Sequence, residues 1–185
     1  MTGFGRTGKM FASEYCDTKP DIICLSKGLT GGTLPLGVTA CTKEIHEAYV
    51  SDDKLKTFFH GHSFTANPLS CTAALASLDL FEKEKTMDKV ERISQWHMEF
   101  RDLLMNSSIA GSIRNYRHLG TIVAFEWEDP NSTYLNSTSA TVTSRMLEQG
   151  VFLRPLGNTV YMMPVYCSDR AEIKRIYEAL ISSLS

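Results

Sequence analysis

The run Pro20-Asp21-Ile22-Ile23-Cys24-Leu25-Ser26-Lys27-Gly28-Leu29-Thr30-Gly31-Gly32 constrains this chain more than any other stretch. Four apolar residues, Ile22 to Leu25, follow a proline turn and end on Ser26 and Lys27. A short apolar run bounded by turn residues reads as a buried strand. Its carboxyl end is where open α/β sheets gather functional residues, and Lys27 stands there. Buried among apolar neighbours, the ammonium would lose hydration, which disfavours its charged form and frees a nucleophilic amine. Such an amine is suited to capture an aldehyde cofactor. A surface lysine after an ordinary strand is the plainer alternative, because lysine is mostly exposed.

The bulk numbers exclude several classes. With 185 residues and a net charge of −2, the chain has no electrostatic case for nucleic acid or an anionic membrane. No apolar run approaches the ~18 residues of a membrane span. The first ten residues lack the apolar region of a secretory signal. The five cysteines are scattered and form no CxxC pair, which argues against a disulfide framework and a zinc site. Cys24 and Cys41 sit in apolar runs and read as small core residues. These observations point to a reducing, cytoplasmic setting.

Along the chain, Gly3, Gly5 and Gly8 with Arg6 and Lys9 form a glycine-rich basic loop. A second strand is expected at Leu36–Cys41, with Thr42 capping a short helix. The loop Phe58-Phe59-His60-Gly61-His62-Ser63-Phe64-Thr65 suits binding better than plain connection. Asn67 then caps a helix with Pro68 at its first position. A second long helix covers about 87–105, with Val90, Ile93, Met98, Leu103 and Leu104 on its apolar side. Strands are expected within 113–128 around Gly120, then a polar stretch at 129–138 and a helix over 140–149. Val151–Arg154 and Thr159–Met163 read as paired strands about a turn at 155–158. Ser168 caps a last amphipathic helix. The change in character near residue 110 suggests two domains, 1–110 and 111–185.

Four clusters could carry chemistry. Lys27 is the first, and Arg6, which could meet an anionic group, is the second. Ser63 or Thr65, beside a helix N-terminus, could bind a phosphate. Arg154 at a strand end could take a carboxylate in bidentate fashion. A solvated charge for Arg6 and a structural ion pair for Arg154 are the plainer alternatives. His60 and His62 have no acidic or cysteine partner at ligand spacing, so no metal is expected. Together the four clusters fit pyridoxal phosphate enzymology.

Thr2-Gly3-Phe4-Gly5-Arg6-Thr7-Gly8-Lys9, Ser26-Lys27-Gly28-Leu29-Thr30-Gly31-Gly32, Leu36-Gly37 and Asn67-Pro68-Leu69 closely resemble the class III aminotransferases. The resemblance covers essentially the whole chain. It implies an α/β fold: the C-terminal part of the large cofactor-binding domain of fold-type I, over 1–110, and a small C-terminal α+β domain over 111–185. It also implies pyridoxal 5′-phosphate as cofactor and a homodimer with the site at the interface. Lys27 would be the Schiff-base lysine and the acid/base of the proton shift. Ser63 would bind the cofactor phosphate of the neighbouring subunit, with Gly61 and His62 shaping that loop. The His-Gly-His-Ser loop and Leu153-Arg154-Pro155-Leu156-Gly157 with Val160-Tyr161-Met162-Met163-Pro164 are similar to the biotin-synthesis branch. That branch aminates 8-amino-7-oxononanoate with S-adenosylmethionine as donor. By the same resemblance Arg154 would hold the acceptor carboxylate, Arg6 would lie at the substrate mouth, and Tyr161 would line the pocket. Ornithine, acetylornithine or ω-amino acid specificity is the alternative within the class.

The departures from the pattern are as informative. Members of the class are more than twice this long. The Asp-Glu strand that pairs with the pyridinium nitrogen, the Gly-Ser phosphate loop and the ring-stacking aromatic have no counterpart here. The chain is therefore expected to be a C-terminal fragment, and a non-catalytic folded remnant is the reading from outside enzymology.

Overall fold

The structure, a computed structural model, describes residues 1–16, 18–128 and 138–185. It is a mixed α/β structure that divides into two compact units. One comprises Met1–Phe4 and Lys9–Lys85, the other Gly5–Gly8 and Thr86–Ser185.

In the first unit Gly3 bridges Phe11, and a 3-10 turn follows over Ala12–Tyr15. Strand β1 (Ile22–Leu25) pairs antiparallel with β2 (Val38–Cys41), Ile22 opposite Cys41 and Leu25 opposite Val38. Between them lies a 3-10 turn, Lys27–Thr30. Helix α1 (Lys43–Glu47) is short, and helix α2 (Pro68–Lys83) starts where expected. The Asn67 side chain accepts from the Leu69 and Ser70 N–H groups, at 3.0 and 3.2 Å, meeting donors that no helical carbonyl can reach. Phe4, Leu29 and Ala74 form the buried cluster of this unit.

The expected burial of β1 does not hold. Ile22 and Cys24 are exposed, Ile23 and Leu25 are half-buried, and β2 is exposed along its length. Among the described residues the two strands pair only with each other, and Leu25 packs against the Phe4, Leu29 and Ala74 cluster while the rest of the ribbon stays largely open. Cys24 and Cys41 are likewise exposed rather than core residues.

The second unit holds the larger core. Helix α3 (Thr86–Met105) precedes a three-stranded antiparallel sheet of β3 (Ile113–Leu119), β4 (Ile122–Trp127) and β5 (Thr159–Met162), in that order. Helices α4 (Thr138–Glu148) and α5 (Arg170–Leu184) complete it. Val123, Phe125 and Val160 of the sheet meet Val142 and Met146 of α4, and Ile173, Tyr177 and Leu180 of α5. Residue 110 falls inside this unit. Helix α3 buries Val90, Ile93, His97, Phe100 and Leu104 at intervals of three and four, and Phe100 and Leu104 join the core under the sheet. Met98 and Leu103, expected on that face, are exposed.

Two boundaries shift. Val151–Arg154 forms no strand, because Pro155 offers no N–H and restrains its predecessor. Only Leu156 and Thr159 pair, around Gly157-Asn158. Helix α5 is capped by Asp169, not Ser168. The Asp169 carboxylate accepts from the Glu172 N–H, and Glu172 Oε2 accepts from the Asp169 N–H, both at 2.9 Å. The polar stretch expected at 129–138 lies outside the described residues, apart from Thr138, where α4 begins.

Candidate active site

Lys27 sits where the chain turns sharply out of β1. Ser26 is extended, with φ −162°, and Lys27 then adopts a left-handed φ of 53°. This conformation costs a non-glycine residue on the order of 1–2 kcal/mol and persists only where the surroundings over-determine it. Leu29 and Thr30 are buried, and the Leu29 N–H donates to the Ser26 carbonyl at 3.2 Å. The Thr30 hydroxyl donates to the Leu34 carbonyl at 2.6 Å, closing the loop that follows. The turn is thus pinned by its second half, and its first residue, Lys27, is left exposed. The amine is therefore not desolvated within this chain, contrary to the expectation from an apolar strand.

Gly28 permits the pinning. A Cβ there would lie 2.9 Å from the ring of buried Phe4. Gly28→Ala is expected to destabilise this unit by about 1–3 kcal/mol, the usual effect of overpacking. A denaturation midpoint indistinguishable from wild type would show that Phe4 yields without cost.

Lys27 opens onto a concavity of about 940 Å³ within the first unit. Thr30, Thr33, His60, His62 and Thr65 supply polar groups to its wall, and Leu34 and Phe64 apolar ones. The lining contains one primary amine, no arginine and no carboxylate. The sequence reading of Lys27 and His62 is thus brought together in one place. Ser63 and Gly61 are exposed and lie outside the lining. The loop is closed from within: the His62 N–H donates to Thr65 Oγ1 at 3.0 Å, the Thr65 N–H to the His62 carbonyl at 2.9 Å, and the Phe64 N–H to His62 Nδ1 at 3.1 Å. Ala66, on the lining, shares the left-handed conformation of Lys27, with φ 54°. A Cβ on Gly61 would meet Thr65 Oγ1 at an ordinary 3.6 Å, so no contact among the described residues demands glycine there. Among the described residues no three His, Cys, Asp or Glu side chains group as metal ligands.

The remaining candidates belong to the second unit. Arg154 is exposed and makes no ion pair among the described residues. Tyr161 is half-buried on β5, opposite Ala124. Arg6 is half-buried: its Nη1 donates to the Pro164 carbonyl at 2.6 Å and to Thr121 Oγ1 at 3.2 Å. Its guanidinium stands 4.4 Å from the centre of the Tyr166 ring. Burial pushes the Tyr166 phenol up, and Arg6 partly offsets this. Thr121 and Tyr166 escaped the sequence reading, because neither stands in a recognisable motif and both are more than a hundred residues from Arg6.

A buried polar set supports the same unit. His97 lies 3.1 Å from the Tyr177 hydroxyl, and its ring centre is 5.8 Å from that of His118. Burial, then His118, lowers the pKa of His97 to about 4, so the ring is neutral at pH 7. Burial also pushes the Tyr177 and Tyr116 phenols up. His118 Nε2 lies 2.8 Å from the Gly120 carbonyl, which only accepts, so that nitrogen carries the proton.

Known proteins are similar to this chain in sequence and in fold. The profile of the family described as aminotransferase class-III matches residues 1–184. An adenosylmethionine-8-amino-7-oxononanoate aminotransferase of Synechococcus elongatus is 40% identical over 184 residues, covering 100% of this chain and 42% of the relative. One of Helicobacter pylori is 40% identical over 185 residues, covering 99% and 42%. The chain thus spans well under half the length of these curated relatives. The crystal structure of the enzyme of that name from Methanocaldococcus jannaschii superposes with a TM-score of 0.85 at 36% identity, covering 99% of this chain and 43% of that one. A Bacillus anthracis aminotransferase superposes with a TM-score of 0.87 at 27% identity, covering 99% and 42%. Matched over residues 1–184 by the family's profile, the chain belongs to the class-III aminotransferases.

Proposed function

We propose that the protein carrying this chain is a pyridoxal 5′-phosphate-dependent aminotransferase of biotin synthesis. It would convert 8-amino-7-oxononanoate to 7,8-diaminononanoate with S-adenosylmethionine as amino donor. The observation that carries this reading is Lys27: a solvent-open primary amine, alone of its kind on its concavity, within a class-III sequence. The names of the relatives at 40% identity support the choice of substrates.

The concavity fits the aldehyde end of the cofactor, with one amine to engage it and no carboxylate to repel a phosphate. It offers no carboxylate to a ring nitrogen either, so that partner is not among these lining residues. When bound, the cofactor supplies an aldehyde and an electron-withdrawing ring that stabilises charge at the carbon exchanging its amino group. Lys27 would hold it through Nζ until the amine of the donor displaces that nitrogen. The Nζ so released would take a proton from the donor carbon and later return one to the acceptor carbon. Two electrons leave the donor carbon and two arrive at the acceptor carbon, so no external oxidant is needed.

Arg154 presents an exposed guanidinium to the acceptor carboxylate, with Tyr161 and Arg6 as further substrate-side groups. Ser63 serves the phosphate site of a neighbouring copy in a homodimer. Its place outside the concavity of its own chain supports this, as do the exposed Phe58, Phe59, Phe64 and Leu69 around it. Such an enzyme is cytoplasmic in this reading. No described helix is long and apolar enough to cross a membrane.

Arg154→Gln is expected to raise KM for 8-amino-7-oxononanoate by about 10- to 100-fold, as loss of a charge-assisted pair does. The half-reaction with the amino donor should be unaffected. An unchanged KM would remove Arg154 from the substrate site. The reading as a whole is tested by comparing acceptors. Amination of 8-amino-7-oxononanoate should exceed that of an α-keto acid or a semialdehyde by about 10²-fold or more. The reverse order would move the protein to an ornithine, acetylornithine or ω-amino acid specificity.

A further inference from the structure

The contacts around Arg6 are unusually reciprocal. The Arg6 carbonyl accepts from the Thr121 N–H at 3.0 Å and from the Thr121 hydroxyl at 3.1 Å. The same hydroxyl oxygen accepts from Arg6 Nη1 at 3.2 Å. One side chain therefore holds both the backbone and the guanidinium of Arg6, using its single proton in one direction and a lone pair in the other. Thr121 is fully buried, so water cannot replace the hydroxyl if it is removed.

The turn that carries Thr121 is itself fixed. A Cβ on Gly120 would lie 2.2 Å from Gly8 N and Thr7 C, so the two backbones are in contact. The Gly120 carbonyl is held by His118 Nε2 at 2.8 Å, and the same nitrogen lies 3.1 Å from Ser94 Oγ. Among the described residues the side-chain hydrogen bonds of Arg6 run through Nη1, one to Thr121 and one to the Pro164 carbonyl, and the guanidinium lies over the Tyr166 ring. The remaining donors of the guanidinium, on Nη2 and Nε, have no hydrogen-bond partner among the described residues.

We propose that Thr121 is a positioning residue for amine transfer, which sets the Arg6 guanidinium so that its remaining donors meet the carbonyl or carboxylate oxygens of the acceptor substrate. This rests on the reading of Arg6 as a substrate-side group. Thr121 touches no substrate, and its effect passes through Arg6.

The test is steady-state kinetics of the protein carrying this chain, with 8-amino-7-oxononanoate as the varied substrate. T121V keeps the side-chain shape and removes the hydroxyl, and T121A removes it without adding a methyl. Each should raise KM by about tenfold with kcat within about twofold, the change expected for losing one bond to a charged group. T121S restores the hydroxyl and should recover most of the loss. R6A should raise KM at least as much, and adding T121V to R6A should change it no further, because both act through one group. Equal impairment of T121S and T121V would overturn the proposal, as would a loss confined to kcat or a full T121V effect in the R6A background. A raised KM in R6A with a normal KM in T121V and T121A would overturn the positioning role and leave Arg6 at the substrate. A normal KM in R6A would overturn the reading of Arg6, and the positioning role with it.

Discussion

Lys27→Ala is expected to lower the turnover of amine transfer by at least about 10³-fold, the largest effect of any single substitution in this chain. The lysine is asked to do two things with one nitrogen. In the proposed function it would engage the aldehyde of the cofactor and, once released, carry the proton between donor and acceptor carbons. Proton transfer by a placed group contributes roughly 10²–10⁴-fold by itself. No other amine lines the concavity, so none is placed there to substitute. Lys27→Arg should fail almost as badly, because a guanidinium keeps its proton at any working pH and offers no free amine. The fold should survive both changes, since the side chain is exposed and its turn is pinned by Leu29 and Thr30. A variant that retains more than a tenth of wild-type turnover would show that another group carries the chemistry.

Gly120→Ala should produce the largest loss of stability, about 3–5 kcal/mol, at the upper end of single-substitution effects. Two costs add. The residue has φ 59°, which a Cβ makes unfavourable. The Cβ would also stand 2.2 Å from backbone atoms of Thr7 and Gly8, and 2.8 Å from the Arg6 carbonyl. Backbone cannot rotate aside as a flexible side chain does. Either the β3–β4 turn or the Gly5–Gly8 loop must move, and with it the bonds from Thr121 to Arg6. Urea denaturation should show a lower midpoint, and the acceptor KM should rise with it. A midpoint within error of wild type would mean that the loop is not held against this turn.

The parts of the chain legible in its sequence are those governed by neighbours a few residues apart. Asn67 and Pro68 start α2 as expected, because a cap and its orphan N–H groups are two and three residues away. Gly120 marks the β3–β4 turn for the same reason. Burial was less legible. The apolar alternatives at Ile22–Leu25 read as a covered strand, yet cover depends on which layer lies above, and no local pattern encodes that. In α3, Met98 and Leu103 look like core by hydropathy, while His97 does not. The buried stripe takes His97 because Tyr177 supplies its hydrogen bond. Lys27, Arg6 and Arg154 stood out as residue types suited to one chemistry. The supports of Arg6 did not, since Thr121 and Pro164 lie 115 and 158 residues away along the chain.

The central claim is that the Lys27 amine is the point of attachment for an aldehyde cofactor. The direct measurement is to load the protein carrying this chain with pyridoxal 5′-phosphate, reduce with borohydride, digest, and locate the pyridoxyl mass by peptide sequencing. The account predicts one stoichiometric label on the peptide containing Lys27, absent from Lys27→Ala. Label on a different lysine, or label spread over surface lysines and unchanged in the Lys27→Ala variant, would contradict it.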